Sequence, residues 1–325
     1  MKKVFVSGGS GFVGRNLIRA LIKQGCCVRA LARSESARQS VIALGAEAVA
    51  GDLDHAGHLS DAVAGCDTVF HAAALVTEWG PRQQFEAINV DGTRRLLAAA
   101  RAARVTCFVH ISTEACFADG SPLINIDETR PIPAQPLPRY PASKARAEQL
   151  VLAANAPGFR TIALRPRLIW GGDDSSLLPQ IVAAVRLGRF AWINGGRHLT
   201  STCHIDNVVE GCLQAAQHGR GGEAYFLSDG APVQFRRFLS DLLATQGVDG
   251  GNRSLPRSLA WAAGSVCEFL WETLRLPGSP PATRMVANLF GQEVTVNDAK
   301  ARRELGYAGL TTVETGLAAL RSTQT

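Results

Sequence analysis

The sequence predicts an α/β fold in which a doubly wound parallel sheet carries a smaller, mostly helical C-terminal cap. Two observations predict it. Through the first half, short β-branched runs alternate with windows whose apolar residues recur at helical spacing. Past Arg165 this rhythm gives way to irregular pieces and then to helix. The predicted boundaries are a sheet domain over 1–165, with a returning segment near 200–230, and a mostly helical cap over 166–325.

Taken in order, Lys3–Ser7 is the first strand, and Val13–Gln24 carries apolar residues on one helical face. Val28–Ala32 is the second strand, followed by a helix through Val41 and Leu44. Ala46–Ala50 and Thr68–His71 are the third and fourth strands. The window from Gln84 to Ala103 is helical, and Thr106–Ser112 is the fifth strand. Asp119–Arg139 holds Pro122, Pro131, Pro133, Pro136 and Pro138 and predicts an ordered loop. Helix resumes over Tyr140–Ala154, and Thr161–Arg165 is the sixth strand. Beyond it a helix is expected near Leu178–Leu187, with strand pieces around Phe190–Ile193 and Tyr225–Leu227.

Composition narrows the function classes. A chain of 325 residues that is 46% hydrophobic and 19% charged has ample material for a core and does not read as disordered. The net charge of +6 comes without a basic run, which argues against nucleic-acid binding and suits an anionic cofactor. None of the 8 cysteines forms a CxxC pair, and no His, Asp or Glu cluster has ligand spacing, so no metal is expected. The N-terminal apolar stretch runs straight into a glycine loop, unlike a signal peptide, and no stretch reaches the roughly 18 apolar residues of a spanning helix. The expected location is cytoplasmic.

The string Gly8-Gly9-Ser10-Gly11-Phe12-Val13-Gly14 sits directly after the first strand and opens the first helix. There Gly8 permits a tight turn, Gly11 lets backbone approach a pyrophosphate, and Gly14 lets the helix pack close. The helix N-terminus adds N–H donors and a positive dipole end. Tyr140-Pro141-Ala142-Ser143-Lys144 puts Tyr140 and Lys144 four apart, hence on one helical face. A ketone receiving hydride needs a proton for the developing alkoxide. A phenol supplies it once a neighbouring ammonium favours the phenolate.

With these motifs in this order, the chain resembles the extended short-chain dehydrogenase/reductase superfamily over at least Lys3–Gly211. The resemblance implies nicotinamide cofactor contacts at Gly8, Gly11, Phe12, Val13 and Gly14, at Asp52 and Leu53 near the adenine, and at the backbone of Ala72, Ala73 and Ala74. It also implies contacts at Asn89, Ser112, Tyr140, Lys144 and Pro166. Of the adjacent hydroxyls Ser112 and Thr113, both catalytic candidates, it points to Thr113 as the one that meets the substrate oxygen. Asn89 reads equally as a structural side chain, Arg167 as facing either substrate or solvent, and Asp206 as the N-cap of a helix.

Glu114 has no second acid beside it, which weighs against a sugar-nucleotide dehydratase. The apolar cap segment Leu259–Leu276, with Trp261, Phe269 and Trp271, resembles the 3β-hydroxysteroid dehydrogenase and dihydroflavonol reductase branch. The expected activity interconverts a bulky hydrophobic ketone and a secondary alcohol with Tyr140 as general acid/base. The alternatives are an NDP-sugar epimerase or dehydratase and a non-catalytic dinucleotide-binding regulator. That cap segment is also compatible with a peripheral membrane contact or a homodimer face. At the end of the second strand Ala32 stands where NAD-linked relatives carry an acid, and Arg33 follows. This predicts NADP(H) over NAD(H), with Arg33 on the 2′-phosphate, Ser34 adding a hydroxyl and Glu35 opposing.

Overall fold

A computed structural model describes residues 1–134 and 139–322. Pro136 and Pro138 of the proline-rich loop lie outside the described residues. Seven strands form the main sheet: β1 (Lys3–Ser7), β2 (Cys27–Ala32), β3 (Glu47–Ala50), β4 (Thr68–His71), β5 (Cys107–Ile111), β6 (Arg160–Pro166) and β7 (Glu223–Leu227). Their order is β7-β6-β5-β4-β1-β2-β3, and every neighbouring pair is parallel. The chain reverses direction across the sheet between β1 and β4, and ligands bind at the carboxyl ends beside such a switch point.

Helices cover both faces. On one face α1 (Phe12–Lys23) and α6 (Ile205–His218) pack Leu17, Ile18, Leu21, Val208 and Cys212 against Val4, Val6 and Val109. On the other, α3 (Ala56–Val63), α4 (Gly92–Ala102) and α5 (Arg139–Ala153) pack Leu59, Leu96 and Val151 against Phe5, Val69 and Phe108. Successive strand residues alternate between the two clusters. Burial on both sides is why these strands read as continuous apolar runs. A further helix, α2 (Glu35–Ala43), is capped by Ser34, whose hydroxyl accepts from Ala37 N–H.

Three expectations need correcting, and one helix went unpredicted. Helix α3 escapes sequence periodicity because only Leu59, Ala62 and Val63 mark its buried side within eight residues. The Gln84–Ala103 window is not one α-helix: a turn at Arg82–Phe85 leads into a π-helix over Glu86–Asp91 and then α4. The proline-rich loop contains a strand, Leu123–Ile126, stabilised by pairing with Val294–Val296 far along the chain. His204, not Asp206, caps α6, its Nδ1 accepting from Asp206 N–H at 3.2 Å.

In the cap, the helix Arg257–Thr273 lies on Arg284–Phe290 through Gly264, where a Cβ would sit 2.7 Å from the Arg284 nitrogen. Its opposite face leaves Leu259, Val266 and Phe269 exposed. No helix among the described residues is long and apolar enough to cross a membrane.

The glycine turn packs closely at the carboxyl end of β1. A Cβ on Gly14 would collide with the Gly8 carbonyl, which is backbone and has little room to yield. Gly14→Ala is expected to cost at least the ~1–3 kcal/mol of an overpacked site, read as a lower denaturation midpoint. An unchanged midpoint would contradict this packing.

Candidate active site

The carboxyl ends of β1, β4 and β5 bring the predicted residues together. Gly8 has φ +72°, and a Cβ there would sit 2.6 Å from Ala73 N, so the first turn lies directly on the Ala72–Ala73 backbone. Gly11 is the N-cap of α1 and provides no side-chain cap, so its first-turn N–H donors await an outside acceptor. Phe12 is buried beneath the turn and Val13 half-buried. This cradle fits a dinucleotide pyrophosphate.

Asp52 and Leu53 follow β3. The Asp52 carboxylate accepts from Leu53 N–H at 2.7 Å, while buried Leu53 packs against Gly92. Arg33 is exposed at the end of β2, with no hydrogen bond or ion pair among the described residues. Glu35 is held by Arg38 at 2.7 Å, so its charge is answered locally, and Ser34 serves as a helix cap.

Beneath Ala72–Ala74 lies a buried polar chain. Thr93 donates to the Asn89 carbonyl at 2.6 Å, so it accepts from His71 Nε2–H at 2.8 Å. His71 Nδ1 therefore accepts from the Ser7 hydroxyl at 2.7 Å, and Ser7 in turn accepts from Ala73 N–H. Burial, helped by the Lys144 charge, pulls the His71 pKa down to about 3, so the ring is neutral. Asn89, in the π-helix, clamps both backbone polar groups of Leu75 and donates to Ser143 at 2.9 Å. Its polar atoms are occupied within the fold, which favours the structural reading.

Tyr140 and Lys144 share a face of α5, and Glu148 continues it one turn on. Tyr140 is half-buried against Ala115, Ala118, Met285 and Leu289. Burial, with the nearby Cys116 and Glu114, pushes its pKa upward. Lys144 departs from expectation. Its Nζ donates to the Ile111 carbonyl at 2.6 Å and approaches His110 Nε2 at 3.2 Å, so as placed it serves the end of β5 and not the phenol. Burial lowers its pKa to about 8, leaving a readily neutralised amine at the site.

Ser112 and Thr113 part ways. The Ser112 hydroxyl is buried and donates to Glu148 Oε2 at 2.5 Å; Glu148 is gripped by Arg165 through Nε and Nη2. Its proton is committed beneath the site, which speaks against a role on substrate or cofactor. Thr113, half-buried, faces Tyr140. Arg167 faces neither substrate nor solvent: it is buried and pairs with Glu114 at 2.7 Å. Pro166 ends β6 opposite Leu227.

Glu148 and the histidines 71 and 110 were missed from sequence. Glu148 had a signal, since it extends the Tyr140 and Lys144 spacing by one more turn. Of the aromatics that suggested a hydrophobic substrate, Phe269 faces outward at 65% exposed, and a mostly apolar cavity of about 280 Å³ is lined by Ile181, Phe190, Trp192, Leu239, Val286 and Phe290, with Glu78, Gln180 and Arg189 also on its wall. Phe290 also packs on the cluster that holds Tyr140.

Residues 5–257 match the model of the 3-beta hydroxysteroid dehydrogenase/isomerase family. The chain is 54% identical, over 98% of its length and 96% of the relative's, to the 4-hydroxy-2-methyl-3-oxo-4-farnesyl-3,4-dihydroquinoline-1-oxide ketoreductase of Stigmatella aurantiaca. It is 35% identical to the 2-alkyl-3-oxoalkanoate reductase of Stenotrophomonas maltophilia, over 98% of both chains. In fold it is similar to the dTDP-glucose 4,6-dehydratase DesIV of Streptomyces venezuelae, with a TM-score of 0.75 and 24% identity over 99% of this chain and 95% of the other.

The two hydroxyls should respond differently to deletion. Ser112→Ala removes a donor to buried Glu148 and is expected to cost stability by about 1–3 kcal/mol, with turnover largely kept. Thr113→Val is expected to cut turnover with a smaller change in melting temperature. The reverse pattern in paired melting and rate measurements would exchange their roles.

Proposed function

The chain belongs to the 3-beta hydroxysteroid dehydrogenase/isomerase family and is an oxidoreductase of CH–OH and carbonyl groups; on that premise we propose that it reduces a ketone bearing a long apolar substituent, with NADP(H) as the preferred cofactor. The observation that carries the reading is that Phe290 both lines this mostly apolar cavity and packs on the cluster that holds Tyr140. The relatives' names supply the same chemistry, a ring 3-oxo group beside a farnesyl chain in one and a 2-alkyl-3-oxo acid in the other.

The reduced nicotinamide supplies the hydride when bound; the glycine turn, Ala72–Ala74, Asp52, Leu53 and Pro166 would hold the dinucleotide. Tyr140 gives its hydroxyl proton to the carbonyl oxygen as alkoxide charge develops there. Its upward-shifted pKa keeps the phenol loaded until the developing oxyanion draws the proton off. Thr113 stands beside the phenol and accepts from the alcohol hydroxyl as it forms. The apolar wall excludes water and orients the substituent.

NADPH oxidation followed over 3-oxo substrates of increasing chain length tests the substrate class. Each added methylene that reaches the cavity should raise kcat/KM, up to the roughly fourfold that ~0.8 kcal/mol of burial allows. Tyr140→Phe should be slower by at least about 10²-fold throughout. A flat dependence on chain length, or efficient turnover of a sugar nucleotide instead, would overturn the assignment. Arg33→Ala tests the cofactor. Loss of one or two charged hydrogen bonds, roughly 1.5–3 kcal/mol each, should weaken NADP(H) at least tenfold and leave NAD(H) nearly unchanged; equal weakening of both would refute the phosphate role.

A further inference from the structure

Thr113 has one proton to give, and its direction is fixed. Its hydroxyl donates to Glu114 Oε2 at 2.8 Å and accepts from Ala115 N–H at 3.2 Å. What it presents toward Tyr140 is therefore a lone pair. Glu114 is itself buried, where a carboxylate needs a partner. The Arg167 guanidinium, 2.7 Å from Oε1, supplies it. The same guanidinium donates through Nη2 to the Leu289 carbonyl at 2.7 Å. Leu289 belongs to the cap helix Arg284–Phe290, and its neighbour Phe290 is a wall of the apolar cavity. A continuous hydrogen-bonded line thus runs from the cap to the hydroxyl beside the phenol.

We propose that Glu114, clamped by Arg167, is a positioning residue that aims the Thr113 hydroxyl and sets the charge felt by Tyr140, and that Arg167 ties this setting to the cap. The activity assay for it rests on the ketone-reduction reading above. With the Thr113 proton held by Glu114, Tyr140 is left as the donor to the reacting oxygen. Thr113 meets the alcohol product through its lone pair.

The charges around Tyr140 are few. From the turn Glu114–Phe117 come Glu114 and the Cys116 thiol, which burial and Glu148 push up to about 12; it is neutral below that and, where it ionises, adds the same charge to wild type and variants. From α5 comes Lys144, engaged with β5 and, with its pKa lowered to about 8, uncharged before the phenol ionises. The cap contributes Met285, Leu289 and Phe290 to the cluster. On the far side of Arg167, burial and the guanidinium pull the His198 pKa down to about 4, so that ring is neutral too. Glu114 is the near anion, and Arg167 its counterweight.

The test is the pH profile of ketone reduction by the cofactor-loaded enzyme. Turnover requires protonated Tyr140, so the rate falls on the alkaline side as the phenol ionises. Glu114→Gln removes the anion and should move that limb to lower pH by about one unit. Arg167→Met leaves the carboxylate without its counter-charge and should move the limb to higher pH. Glu114→Gln/Arg167→Met, which removes both buried charges and so should fold even where a single variant does not, should fall between them. Arg167→Lys should stay near wild type. Ultraviolet titration of the phenolate, corrected with Tyr140→Phe, should show the same order without turnover. Absent ketone reduction would therefore sink the functional reading alone. Limbs and phenolate midpoints that coincide in all variants, or that move the same way in both single variants, would overturn the positioning role.

Discussion

The buried pair of Glu148 and Arg165 is the contact on which the site depends. Arg165 rises from the end of β6, Glu148 from the middle of α5, and Ser112 from the end of β5 donates into the same carboxylate. The guanidinium also lies over the rings of Phe117 and Phe226, at 4.8 and 5.2 Å. Taking two charges out of water is costly, and the net stability of such a pair is small even when its geometry is good. What it provides is register. One helix is fixed in rotation and height against two strands, and Tyr140 and Lys144, two turns and one turn before Glu148, inherit that setting.

The second constraint is the close approach of the first turn to the Ala72–Ala73 backbone. Only a residue without Cβ can stand at Gly8, and the chain through Ser7, His71 and Thr93 fixes the backbone it leans on. The π-helix over Glu86–Asp91 belongs to the same arrangement, because it presents Asn89 to Leu75 on one side and Ser143 on the other. Loop, helix and strand ends are therefore tied to one another before any ligand arrives.

Much of this was legible in the sequence. The inner strands announced themselves because burial on both faces leaves unbroken apolar runs, and the glycines and the Tyr140–Lys144 spacing are local signals on single elements. What escaped was non-local or too short. Leu123–Ile126 becomes a strand only through a partner some 170 residues away. The partner of Ser112 is set by tertiary packing, and no spacing encodes it. Arg167 looked as ready for solvent as for substrate until Glu114 was seen to face it. The cap misled because aromatic content says nothing of direction: Phe269 points outward, while Phe190 and Phe290, in unremarkable segments, form the wall.

The cysteines carry a practical consequence for anyone labelling the protein. Six of the eight are buried, Cys267 is half-exposed, and Cys27, on the strand next to β1, is open to solvent. Cys116 lies close under Tyr140, yet it stays a thiol at every pH at which the enzyme would be handled. A maleimide dye should therefore attach first at the sheet surface near Cys27, away from the Tyr140 end. Electrophilic inhibitors that rely on a reactive thiolate would find none beside the phenol.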